Sequence, residues 1–276
     1  MGNEAAAISR VLVQPSERSG QLANTDILFN LGRVFFGAAI VAFGIQSLFY
    51  AHSANPHLIG PPFFPGRLLW AWLAGAIFCA GGVSIVANTN IRLMAALVGI
   101  MLAMRIVFIH APMLATNLHD PGPWTSGFEI VGICSGAWTL VASSSACGRL
   151  KQSLVIAVRI GLASLLVVVG VQHFMYAQFV ATLVQRWVPW HLFWAYFIGV
   201  AFFATALALV TGKLVRLATA MLGLMFFLFV FSLHLPRVVS ASNNGNEWTS
   251  MFVAAAMCGT AWILAGSLGK NAYTRR

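Results

Sequence analysis

Residues 110–126 read HAPMLATNLHDPGPWTS, and residues 234–250 read HLPRVVSASNNGNEWTS. Both stretches begin with a histidine two places before a proline, both end on Trp-Thr-Ser, and they lie 124 residues apart. The same spacing relates Arg92-Leu93 to Arg216-Leu217, Trp70-Ala71 to Trp194-Ala195, Cys134 to Cys258, and Trp138 to Trp262. Nearer the start the spacing becomes 126, matching Arg33 with Arg159, Gly44-Ile45-Gln46 with Gly170-Val171-Gln172, and Tyr50-Ala51 with Tyr176-Ala177. A two-residue difference in one loop accounts for the change. Rare residues recurring at one spacing mark an internal duplication.

Composition says what kind of unit is duplicated. Of 276 residues, 59% are hydrophobic and only 8% charged, against about 25% charged in soluble domains. The apolar runs are continuous and long enough to cross hydrocarbon, and they lack the alternation of barrel strands. Inside a bilayer the backbone must satisfy its own polar groups, so such runs are helices. They fall near 27–51, 67–87, 92–111 and 126–146, then 154–180, 191–211, 216–235 and 250–268. The expectation is an all-α integral membrane protein with eight transmembrane helices. These form two parallel four-helix repeats, each a bundle, spanning 27–147 and 148–268. A polar tail precedes them over 1–26 and a basic one follows over 269–276. The first tail, with Glu4, Arg10, Glu17, Arg18 and Asp26, lacks the basic-then-apolar order of a secretory signal.

The net charge of +10 would suggest nucleic acid in a soluble protein. Here the cations sit at helix ends, which is a topology signal, and no nucleic-acid partner is expected. Twelve of the sixteen lysines and arginines fall on one side of the eight-span arrangement. That places both termini in the cytoplasm and the proline-rich, histidine-bearing loops outside. The expected location is a prokaryotic inner membrane. The four cysteines, Cys79, Cys134, Cys147 and Cys258, form no CxxC pair and give neither a disulfide framework nor a metal pattern. No phosphate-binding loop, HExxH or CxxCH is present. Seven tryptophans near the outer ends read as an interfacial belt.

A few polar residues inside the runs are candidates for chemistry. His110 and His234 each sit at the outer end of a third helix, as a ligand or proton-transfer group, or as a cap on carbonyls freed where the helix stops before proline. Gln46 and Tyr50, like Gln172 and Tyr176, are four apart and share a helix face. Either glutamine could bond a quinone carbonyl or a neighbouring helix, and the second role is favoured. Arg105 and Glu129 occur only in the first unit, facing Phe229 and Val253 in the second. They could pair across an antiparallel interface, and ionisable groups within membrane helices point to function by default. His173, which stands where the first unit has Ser47, makes the second unit different in turn.

Each half resembles a DoxX-type four-helix unit. The residues carrying the resemblance are Arg159, Gly170 to Phe174, Pro189 to Trp194, His234-Leu235-Pro236 and Glu247 to Ser250. Their weaker first-half counterparts are Arg33, Gly44 to Gln46, His110-Ala111-Pro112 and Trp124 to Ser126. The resemblance covers about residues 27 to 268. It implies a membrane component that interacts with a quinone or a small redox metabolite beside a soluble or membrane oxidoreductase. Quinone is the leading candidate ligand, ahead of haem. A small-solute transporter and a non-catalytic assembly subunit are the alternative expectations.

Overall fold

The computed structural model describes residues 27–50, 66–144 and 149–273. Among these there are nine helices and no strand. They are α1 (Ile27–Tyr50), α2 (Arg67–Val86), α3 (Ile91–Thr116), α4 (Pro121–Ser143), α5 (Arg149–Met175), the short α6 (Ala177–Leu183), α7 (His191–Thr211), α8 (Val215–Ser240) and α9 (Gly245–Tyr273). Seven of them are long and apolar enough to cross a bilayer, so the chain is a multi-pass membrane protein. The long helix outside that set is α4, expected from sequence as the fourth span. It carries Glu129 and a run of Gly, Ser and Thr, and its second half, from Gly132 to Ala142, is almost wholly buried in protein. A helix wrapped by other helices has no need of an apolar surface for lipid.

The helices interleave along the chain. α1 has its largest interfaces with α2 and α9, and α5 has its largest with α7 and α4. The first helix of each chain half therefore lies on the last helix of the other half, and α4 and α9 cross at the centre. In α9, 67% of the apolar window is buried, against 22–39% in the other spans.

Two crossings are very close because glycine removes the side chain between backbones. A Cβ on Gly82 of α2 would stand 2.6 Å from the Gly37 carbonyl oxygen and 2.7 Å from the Val41 nitrogen of α1. A Cβ on Gly32 of α1 would stand 2.8 Å from the Gly259 carbonyl oxygen of α9. The corresponding α5–α7 contact is filled by rings instead: Phe174 stacks on Phe203 at 5.8 Å, and a Cβ on Gly170 would meet the Phe203 ring at 3.0 Å.

The ends of the spans are held by arginines. Arg33 of α1 donates to the carbonyls of Ile85 and Val86 at the end of α2, at 2.6 and 2.8 Å. Arg159 of α5 donates through Nε, at 2.7 Å, and through Nη2 to the carbonyl of Leu209 near the end of α7. Helix C-termini leave carbonyls without intrahelical donors, and a cation there also meets the favourable end of the helix dipole.

Three expected boundaries are corrected. The third and seventh runs were expected to stop at or before their prolines, but α3 and α8 continue through Pro112 and Pro236. Proline removes a backbone donor and crowds the carbonyl one turn earlier. Each helix answers with a π turn just before it, Ile106–His110 and Val230–His234, closed by Ala111 N–H to Ile106 O and by Leu235 N–H to Val230 O. The fifth run, expected to reach residue 180, breaks at Tyr176, from which the short α6 starts.

Replacing Gly82 by alanine should lower the unfolding free energy in detergent by about 1–3 kcal/mol, the usual cost of overpacking. Gly127→Ala, where a Cβ has 3.6 Å to its nearest neighbour, should be neutral or slightly stabilising through helix propensity. Denaturant titration of both variants checks the contrast, and equal behaviour would show that the α1–α2 crossing is looser than described.

Candidate functional site

The histidine end of the bundle is built by the two π turns and by the first turns of α4 and α9. In α3 the widened turn ends on His110, which is only 9% exposed. The His110 Cβ faces Gly127 of α4: a Cβ on that glycine would come 3.6 Å from it, an ordinary contact. Both ring nitrogens of His110 are buried and, among the described residues, have no hydrogen-bond partner. Buried polar atoms are nearly always bonded, and leaving one unpaired costs free energy comparable to a lost hydrogen bond. Arg105, five residues earlier, is close enough for its charge to act on the ring. A π turn bonds residues five apart and often marks a functional site.

His234 occupies the matching π turn but a different setting. It is half-buried, and its Nδ1 is buried without a partner among the described residues. The charges of Arg237 and Glu247 both act on it. Those two form a bidentate ion pair, Arg237 Nε to Glu247 Oε2 at 2.9 Å and Nη2 to Oε1 at 2.8 Å. Sequence reading missed this pair. The available signal was an arginine three residues after His234 and a glutamate just before the repeated tryptophan.

The expected pairing of Arg105 with Glu129 does not occur among the described residues. The reason is helical phase. On α4, Gly127 and Cys134 face α3, as shown by the Cys134 thiol reaching the Gly99 carbonyl at 3.5 Å. Thr125 instead faces α5, and Glu129, four residues on, shares its face. Glu129 is half-buried, and no ion pair reaches it among the described residues.

The glutamines join helices across the two chain halves. Gln46 of α1 donates to the Thr249 hydroxyl of α9 at 2.6 Å and to the Gly245 carbonyl at 3.3 Å. Gln172 of α5 accepts from the Thr125 hydroxyl of α4 at 2.8 Å and donates to the Pro121 carbonyl at 3.1 Å. The tryptophan before each threonine has a role beyond the belt. Trp124 donates its indole N–H to the Leu118 carbonyl at 3.0 Å, and Trp248 does so to that of Ser242 at 2.9 Å. The repeated Trp-Thr-Ser thus closes a loop with its first residue and catches a glutamine with its second. Sequence reading saw the repetition but not this use.

His173 bonds its own helix, Nδ1 to the Val169 carbonyl at 2.7 Å, and lies edge-on to Phe202 at 5.1 Å. Tyr176 is exposed and its N–H continues the α5 ladder to the Gln172 carbonyl at 2.8 Å. The Tyr50 side chain and Cys147 lie outside the described residues. Cys79, Cys134 and Cys258 are free thiols within the bundle. Among the described residues no three His, Cys, Asp or Glu side chains come together as a metal site. Of the candidates, the structure therefore brings His110 and Arg105 together, uses both glutamines as helix bridges, and leaves Glu129 on another face.

Compared with known protein families, curated proteins and solved structures, the chain matches none.

A double-mutant cycle of Gln46→Leu with Thr249→Val should give a coupling of about 0.6 kcal/mol, the size found for hydrogen bonds between membrane helices. Unfolding titrations of the four proteins measure it. A coupling of zero would release Gln46 for a ligand.

Proposed function

We propose that this chain is an eight-span membrane protein of two tandem DoxX-like units that binds a quinone, or a redox metabolite of similar shape, at the histidine end of α3. The single observation that carries this reading is His110: a buried imidazole with two unpartnered nitrogens, held against Gly127 and beside Arg105. An imidazole can donate to a quinone carbonyl or accept from a quinol hydroxyl, and the two orphaned atoms fit a ligand with a paired donor–acceptor need. On this reading α4 is the eighth span, both termini face the cytoplasm of a prokaryotic cell, and a soluble or membrane oxidoreductase exchanges with the bound molecule.

Support for two units comes from matching helix bounds and hydrogen bonds. α3 and α8 start and end 124 residues apart, as do the π turns, and the Gln46–Thr249 and Gln172–Thr125 contacts are reciprocal. The units differ at the histidines, so one ligand site, in the first unit, is proposed.

A second reading is a small-solute transporter. The observation favouring it is Glu129, a half-buried acid that no ion pair reaches among the described residues. The third, an assembly subunit, draws on the glutamines, which bond helices rather than a ligand.

Mass spectrometry of organic extract from mildly solubilised protein tests the leading reading, with His110→Ala, His234→Ala and the double variant alongside. The expected result is a quinone retained by the parent and by His234→Ala but lost from folded His110→Ala. Retention that ignores His110 would remove the site, and proton-driven solute uptake lost in Glu129→Gln would favour transport.

A further inference from the structure

Arg105 stands near the middle of the 26-residue α3. About 16 Å of helix rise, at 1.5 Å per residue, separates it from the histidine end at Thr116. Helical side chains lean toward the N-terminus of their own helix, so this guanidinium leans away from that end. With about 30 Å of hydrocarbon to cross, snorkelling brings it to neither surface. A guanidinium stays charged at any working pH, and a charge at that depth is costly until something pairs with it.

No hydrogen bond or ion pair reaches Arg105 among the described residues. The chain has six acids, and each has another place. Glu247 pairs with Arg237. Asp120 caps α4, accepting from the Gly122 N–H at 2.9 Å. Glu129 shares the α5-facing side of α4 with Thr125. The rest, Glu4, Glu17 and Asp26, lie outside the described residues and precede α1 in sequence. α1 starts at the end of the bundle where Arg33 bonds the last carbonyls of α2 and from which α3 sets out, remote from the histidines. The segment 51–65, between α1 and α2, contains no acid in its sequence. The π turn Ile106–His110 follows Arg105 directly and brings His110 back within electrostatic reach of it. A cation and a bare imidazole thus share one stretch of α3.

We propose that the ligand of the histidine site is an anion: a hydroxylated quinone ionised to its enolate, with the charged oxygen accepting from Arg105 and a ring oxygen meeting His110. This narrows the quinone reading given above and rests on it. A neutral quinone would satisfy the imidazole and leave the guanidinium without a counter-charge. An enolate answers both, since hydrogen bonds between ionised partners are the strong ones and the surrounding hydrocarbon does not screen them.

Calorimetric titration of the full chain in mild detergent tests this with two probes: lawsone, a hydroxynaphthoquinone ionised at neutral pH, and its neutral methyl ether. The parent should bind lawsone about tenfold more tightly, the difference between a hydrogen bond to a charged group and one between neutral groups. Arg105→Gln should remove that preference, and Arg105→Lys should keep most of it. Arg149→Gln, which removes an exposed charge on another helix, should leave it intact. Equal affinity of the parent for both probes, or a preference that survives Arg105→Gln, would overturn the inference. The comparison within the parent needs no variant, so the test stays decisive if Arg105→Gln fails to fold. His110→Ala separates this inference from the reading beneath it. Should the parent show no preference while His110→Ala weakens both probes, the anion falls and the histidine site stands. Should His110→Ala weaken neither, both fall.

Discussion

In hydrocarbon there is no water to bond a polar group, and many of the described polar side chains turn to a backbone carbonyl instead. Arg33 and Arg159 bond the last carbonyls of α2 and α7. Trp124, Trp194 and Trp248 bond loop carbonyls just before their helices, and Trp262 reaches the Ala220 carbonyl on α8. His173 and a series of serines and threonines bond carbonyls three or four residues back. The proline-induced π turns belong to the same account, since they re-close the ladder one residue later. Against that background a polar side chain with no partner stands out, and His110 is the clearest case.

The two chain halves share a framework but not a filling. Matching π turns, matching indole bonds and reciprocal glutamine–threonine contacts tie them together. Yet α1 is clamped through glycine to both of its neighbours, while α5 meets α7 through phenylalanine rings. His110 keeps two bare nitrogens beside a lone arginine, whereas His234 has a neutralising ion pair next to it. The two histidines therefore stand in different surroundings. Position 127 is glycine in the first half, and the matching position, 251, is methionine in the second.

Much of the candidate site was legible before any fold was known. His110 and His234 stand out in sequence because each precedes a proline at the same repeat position. Arg105 and Glu129 stand out because charge is rare in these runs. The pairing of those two was misjudged because sequence separation along neighbouring helices says which residues lie at one depth, not which face each presents. Two residues' difference in phase on α4 put Glu129 on the side away from α3. The Arg237–Glu247 pair was missed for a related reason: each residue alone reads as interfacial charge, and only the turn between α8 and α9 brings them to 2.8 Å.

Hydropathy and charge by themselves determined that this chain lies in a membrane as a bundle of helices, because burying so many apolar residues and so few charges leaves no other solvent. Repeated motifs by themselves marked the histidines, the glutamines and the Trp-Thr-Ser turns as structurally equivalent positions. Tertiary structure alone decided which helices meet. It set the first helix of each chain half on the last helix of the other, turned Gln46 and Gln172 into bridges, and left His110 without a partner among the described residues. The physical reason is that lipid-facing and helix-facing apolar residues are chemically alike. Hydropathy therefore cannot choose the neighbours of a membrane helix; close approach at glycine and a handful of hydrogen bonds do.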